Sequence, residues 1–282
     1  MKSLITVCTL ALLLCGSASA APFEFFPFDS GVGRGDPQWT AQRQADILKE
    51  LGYDGIGYNY AGVPKLAEWL KALDASGRKL YSIYVGSYLG KPAPDIEAAL
   101  SLLKGRDTII WLNIQRGDHY VPGAPGARDE EAVQIVKAVC AHAKKYGLRV
   151  ALYGHKGFYV ENTDDDLRIW EKAACDNLGV SFNLCHELMG GHLAQLEEII
   201  RRSAPHLFLV SINGADIATK RYILRLDQGD FDNSTILQTL KDAGYRGPVG
   251  LQCFQVPGDV RENLTADMGA WKKILAKVQD SK

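Results

Sequence analysis

The sequence predicts an α/β protein built as a single (β/α)8 barrel. Eight apolar runs of strand length recur along the chain. Helical patterns separate most of them. The segment after residue 20 has about 262 residues, or about 33 per repeating unit, close to the usual size of such barrels. Gly and Pro together make up about 14% of the 282 residues, which excludes collagen-like and disordered chains.

The first twenty residues differ from the rest. Lys2 precedes an uncharged, mostly apolar run over 4–14, and Ala18-Ser19-Ala20 follows as a small-x-small cleavage site. This pattern predicts a secretory signal peptide over 1–20, with the barrel over 21–282. The apolar run is too short to span a bilayer, so the mature chain is expected to be secreted or periplasmic, with no membrane span. Removing Lys2 takes the net charge from −1 to −2. Near neutrality without a Lys/Arg run argues against a nucleic-acid partner.

The elements follow in order. A strand over 25–28 ends at Asp29-Ser30-Gly31. Residues 40–51 have helical periodicity and stop at Gly52. Gly55-Ile56-Gly57-Tyr58 is the second strand. In 64–73, Leu66, Trp69, Leu70 and Leu73 fall on one helical stripe. Strands are expected at 80–85 and 108–114 with a helix at 95–103 between them. A long helix over 130–146 ends at Gly147, and 149–153 is the fifth strand. Helix 164–175, strand 180–184, helix 193–202 and strand 207–212 follow. After an insertion over 217–232 come a helix over 234–243, in which Asp230 or Asp232 is the expected cap, and the eighth strand, 249–253. Asp164-Asp165-Asp166 reads as the acidic first turn of its helix, and Arg201-Arg202 and Lys272-Lys273 as solvated helix faces. After cleavage four cysteines remain. None form a Cys-x-x-Cys pair, and Cys140 and Cys175 are either a bridge between neighbouring helices or buried free thiols.

In a barrel of this type the chemistry lies at the carboxyl ends of the strands. The polar residues there are Asp29; Tyr58 and Asn59; Tyr84; Asn113 and Gln115; Tyr153 and His155; Asn183, His186 and Glu187; Asn213 and Asp216; and Gln252. The set is rich in amides, tyrosines and imidazoles and poor in carboxylates. Amides and hydroxyls both donate and accept hydrogen bonds, which suits a polyhydroxylated ligand.

The runs Tyr153-Gly154-His155-Lys156-Gly157-Phe158, Asn183-Leu184-Cys185-His186, Asn213-Gly214-Ala215-Asp216 and Gly244-Tyr245-Arg246-Gly247-Pro248 leading to Gln252 resemble the xylose isomerase-like TIM-barrel family of sugar isomerases and epimerases. That family also includes endonuclease-IV-type barrels. The resemblance implies a TIM barrel, with a Glu at strand five, an Asp at strand six, a His at strand seven and a Glu at strand eight holding one divalent metal. This chain has Tyr153, Asn183, Asn213 and Gln252 at those positions, while His155, His186 and Asp216 match motif residues. Three of the four replacements are amides, which bring no charge to offset a divalent ion. A rearranged site on His155, His186 and Gln252, holding Zn, Co or Mn, and no cofactor at all remain as alternatives.

The expected reaction is proton abstraction next to a carbonyl, by His155 or His186 with Glu187 as a further base. Asp29, Tyr58, Asn113, Tyr153, Lys156, Asn183, Asn213 and Gln252 are the expected substrate contacts. Export, and the lack of an Arg/Lys cluster at the strand ends, argue against a sugar phosphate. A free sugar or a 3-keto-glycoside fits better, with isomerisation, epimerisation or elimination as outcomes. A non-catalytic carbohydrate-binding barrel is a second reading. A conventional glycoside hydrolase is a third; it needs a carboxylate pair about 5–10 Å apart, for which only Asp29, Glu187 and Asp216 are available.

Overall fold

The structure is a computed structural model that describes residues 23–33, 38–117 and 126–280. The expected signal peptide lies outside the described residues. Among the described residues no helix is long and apolar enough to cross a membrane.

Eight parallel strands form the barrel: β1 (Phe25–Pro27), β2 (Gly55–Asn59), β3 (Lys79–Tyr88), β4 (Ile109–Gln115), β5 (Arg149–Leu152), β6 (Leu178–Asn183), β7 (Leu207–Ile212) and, after a two-stranded hairpin, β10 (Val249–Leu251). Their order is β1-β10-β7-β6-β5-β4-β3-β2. A parallel bridge between Phe28 and Gly57 closes the ring, and Phe25 exchanges hydrogen bonds with Asp54 beside it. All eight expected strands are present.

Period-two alternation divides each strand between two cores. On β4, Ile110, Leu112 and Ile114 pack outward against the helices, while Ile109 and Trp111 point into the barrel. Phe26, Phe28, Tyr81, Ala151, Tyr153 and Leu209 join that inner core. Glycine makes room for the inner rings: a Cβ on Gly250 would lie 2.7 Å from Phe28 Cε1.

The outer layer contains α2 (Ala41–Leu51), α3 (Val63–Ser76), α4 (Glu97–Leu103), α5 (Asp129–Lys145), α6 (Thr163–Ala173), α8 (Leu196–Ser203), α9 (Asn233–Asp242) and α10 (Val260–Asp280). Thr40, Asn162 and Asp232 cap α2, α6 and α9 through their side chains. Asp232 is therefore the cap, and Asp230 instead accepts from the Ile217 backbone. Arg201, Arg202, Lys272 and Lys273 are exposed, as expected.

Three differences bear on the site. The expected helix at 193–202 is preceded by a short α7 (Leu184–Gly190) that leaves β6 without a loop, so His186 and Glu187 ride on a helical first turn. A four-residue α1 (Asp29–Val32) likewise follows β1 closely. The expected insertion carries β9 (Arg221–Leu224), which pairs back on β8 (Gly214–Asp216) just before it and brings Ile223 to the mouth of the barrel. Asp164, Asp165 and Asp166 form the acidic first turn of α6, as expected, and Asp166 is fully buried there: it accepts from the Gly154 N–H, and burial holds its carboxyl well above the usual range. Cys140, Cys175, Cys185 and Cys253 are free thiols.

Candidate active site

A cavity of about 320 Å3 opens among the carboxyl ends of the strands. Its floor is aromatic. The Trp111 and Tyr84 rings meet Tyr153 edge-on at 4.7 and 4.9 Å, and Phe28 meets Trp111 at 5.1 Å. Trp111 is fixed by its Nε1–H, which donates to Ser181 Oγ at 2.9 Å. Tyr58, Asn59, His155, His186, Gln252, Phe254 and Ile223 complete the walls. Among the described residues no Asp, Glu, Lys or Arg lines this cavity.

The two histidines lie side by side, with ring centroids 4.1 Å apart. His155 is also stacked against Phe158, at 4.0 Å. Its Nδ1 lies 2.9 Å from the Lys156 carbonyl, which can only accept; Nδ1 therefore carries the proton and Nε2 keeps its lone pair. His186 Nε2 pairs with the Tyr153 hydroxyl at 3.1 Å, and the Gln252 amide N–H donates to the same hydroxyl at 3.5 Å. His186 Nδ1 is buried without a hydrogen-bond partner among the described residues.

Burial sets the electrostatics. It pushes His186 down to about 3, with His155 adding to the effect, and it lowers His155 as well. Both rings are therefore neutral at pH 7. Burial also holds the Tyr153 hydroxyl well above its ordinary range, so it stays protonated and able to donate.

Of the expected site residues, the cavity gathers Tyr58, Tyr153, His155, His186 and Gln252. The others are elsewhere. Glu187 is buried with both oxygens occupied: Oε1 accepts from the Thr163 N–H and hydroxyl at 2.8 and 2.7 Å, and Oε2 pairs with His192 Nδ1 at 2.7 Å. It ties α7 to α6 rather than facing the cavity. Lys156 turns outward to Glu161. Asn183 is held by Gly154 O, Ser181 Oγ and Ser211 Oγ. Asn213 donates to the Gly214 and Tyr222 carbonyls. Asn113 donates to the Val85 carbonyl and accepts from Gln115. These three amides brace their surroundings. Asp29 lies just outside the cavity, accepting from Asn59, and burial raises its carboxyl to about 6.

Sequence reasoning did not pick out Trp111, Phe254 or Ile223. Trp111 shares strand parity with Asn113, a signal that was legible, whereas Phe254 lies in the turn after β10. Ile223 comes from the hairpin, and only its folding brings it to the mouth.

The donor set does not fit the divalent metal that the family pattern implies. Asn183 is held by backbone and hydroxyl partners; Asn213 donates to two backbone carbonyls, and its buried Oδ1, which has no hydrogen-bond partner among the described residues, carries no charge. Gln252 Oε1 accepts from the Phe254 N–H, and His186 Nε2 is occupied by Tyr153. The alternative ligand trio of His155, His186 and Gln252 thus has one uncommitted donor on each ring, no free amide oxygen and no anionic oxygen. Among the described residues no group of three or more His, Cys, Asp or Glu is arranged to hold a metal ion.

A family model described as xylose isomerase-like TIM barrel matches residues 45–274. This chain belongs to the xylose isomerase-like TIM-barrel family. No curated protein matches the sequence. Solved structures share its fold. A 3-keto-D-glucoside 4-epimerase from E. coli has 15% identity and a TM-score of 0.71, covering 89% of this chain and 99% of its own. An L-ribulose 3-epimerase has 16% identity and a TM-score of 0.68, covering 91% and 96%. The IOLI protein, solved with a zinc atom, has 14% identity and a TM-score of 0.70, covering 90% and 99%. At these identities the likeness is one of fold. The fold of this xylose isomerase-like barrel is thus shared with a zinc-containing structure, while its own ligand positions carry neutral side chains.

Proposed function

We propose that this chain is an exported, sugar isomerase- or epimerase-like enzyme. It removes a proton beside the carbonyl of an unphosphorylated sugar or keto-glycoside. One observation carries the reading: the clamped His155 ring has a neutral Nε2 lone pair and lines a cavity with no charged side chain in its described wall.

A base for this step must be unprotonated at working pH and held in one orientation. The lowered pKa of His155 supplies the first condition, and its ring contacts with Phe158 and His186 together with the Nδ1 bond to the Lys156 carbonyl the second. When His155 takes the proton, the C–H electron pair moves toward the carbonyl oxygen as an enediolate. In this reading His186 carries its proton on Nε2, so that it and Gln252 both donate to the Tyr153 oxygen and leave the Tyr153 proton for that oxyanion. Returning the proton at either carbon or face gives an isomer or epimer. A leaving group on the next carbon gives elimination instead. A described wall without Lys or Arg disfavours a phosphorylated sugar. The named activities of two fold relatives, a 3-keto-D-glucoside 4-epimerase and an L-ribulose 3-epimerase, support a keto-sugar. Lys2, the apolar run over 4–14 and Ala18-Ser19-Ala20 support export. Its partner in this reading is a small carbohydrate rather than a nucleic acid.

The test is exchange of the proton beside the carbonyl into D2O, followed by 1H NMR on free ketoses and 3-keto-glucosides. Exchange by the wild type, reduced about 100-fold or more in His155→Gln, is expected. Full exchange in His155→Gln, or none in the wild type, sinks the reading. The second outcome would favour a non-catalytic saccharide-binding barrel, which the neutral residues at all four family ligand positions also support.

A further inference from the structure

A second, wider cleft of about 630 Å3 lies beside the deep cavity, and Ser30, Tyr58 and Asn59 line both. The far wall of this cleft carries Trp39, Gln44 and Trp69. Trp69 is buried and lies 5.8 Å from the Tyr58 ring, while Trp39 is half-buried. Thr40 caps α2 and so fixes the chain beside Trp39. Gln44 is only 5% exposed; its Nε2 donates to the Trp39 carbonyl at 2.9 Å, and its Oε1 has no hydrogen-bond partner among the described residues. Lys65 and Glu68, at the rim of the cleft, neutralise each other at 2.9 Å.

Proton removal beside a carbonyl uses none of these groups. Indole faces with amides, and little net charge, suit the apolar faces and hydroxyls of an uncharged sugar ring. The geometry points to a second saccharide subsite: the substrate is a glycoside, with its keto-sugar ring in the deep cavity and the linked residue lying along Trp39 and Trp69. This rests on the saccharide reading above but not on its chemistry. Tyr58 and Asn59 form the shared wall at the glycosidic link, and Asp29, outside the deep cavity, faces the linked residue. The product of any cleavage or epimerisation would then carry, or release, a second sugar or aglycone from this cleft.

Dissociation constants from tryptophan fluorescence test it, with 3-keto-D-glucose compared against the 3-keto derivatives of maltose and cellobiose. At least one disaccharide is expected to bind about tenfold or more tighter than the monosaccharide, a gain of about 1.4 kcal/mol. Trp39→Ala is expected to remove that gain while leaving monosaccharide binding unchanged. Gln38→Ala, an exposed change in the same cleft, should reduce the gain and guards against misfolding of the first variant. Equal binding of monosaccharide and disaccharides by the wild type overturns the subsite alone. Loss of monosaccharide and disaccharide affinity in equal measure on Trp39→Ala does the same. No binding of any of these sugars overturns both the subsite and the saccharide reading, whereas tight binding without proton exchange overturns only the chemistry.

Discussion

Replacing His186 with glutamine should flatten the acid side of the stability profile. The His186 ring is 4% exposed and its pKa falls from 6.5 to about 3 on folding. The unfolded chain therefore binds a proton between pH 6.5 and pH 3 that the folded chain refuses. Stability from this group is full above pH 6.5 and is lost as pH falls toward 3. The full shift corresponds to about 5 kcal/mol, and linkage gives a loss of about 2 kcal/mol by pH 5 and about 3 kcal/mol by pH 4. A glutamine side chain carries no such proton yet can still hydrogen-bond to Tyr153. Because the substitution also removes packing against His155, the informative quantity is the change with pH rather than the stability at pH 7. Urea unfolding followed by tryptophan fluorescence at pH 7, 6 and 5 supplies it. The wild type should lose about 2 kcal/mol more than His186→Gln between pH 7 and 5. Parallel profiles, or an NMR titration of His186 near 6.5, would refute the picture of a neutral ring sealed beneath the cavity.

Two further outcomes follow from the packing and the donor set. Gly250→Ala drives a methyl to within 2.7 Å of Phe28 and 3.1 Å of Phe26, and should lower stability by about 1–3 kcal/mol in urea unfolding; an unchanged midpoint would show that those rings do not fill the barrel axis. After chelation, adding Mn2+ or Zn2+ at about 100 times a site's Kd would stabilise a metal-binding protein by about 2.7 kcal/mol. The thermal midpoint here should not move at about 1 mM metal, and a rise of several degrees would mean that His155, His186 and Gln252 rearrange into a site.

The sequence by itself determined the barrel. Outward residues such as Val150, Leu152, Val210 and Ile212 alternate with inward ones, and that period survives in any environment because each outward residue must meet a helix. Gly52, Gly147 and Gly244 adopt positive φ at helix ends, where other residues are strained, so those boundaries were legible too. The pairing of His155 with His186 was readable as two imidazoles at neighbouring strand ends. Only the tertiary structure decided which polar residues the cavity would receive. Parity says that Asn113, Asn183 and Asn213 point inward; it does not say whether a carbonyl such as those of Val85, Gly154 and Tyr222 waits within reach of each amide. The same holds for α7, whose start is continuous with a strand in sequence, and for Glu187, whose partners Thr163 and His192 lie on other segments. Local periodicity fixes the face a side chain takes, because that follows from backbone geometry. Its hydrogen-bond partner comes from wherever the closed ring brings the remaining chain, and no local pattern encodes that.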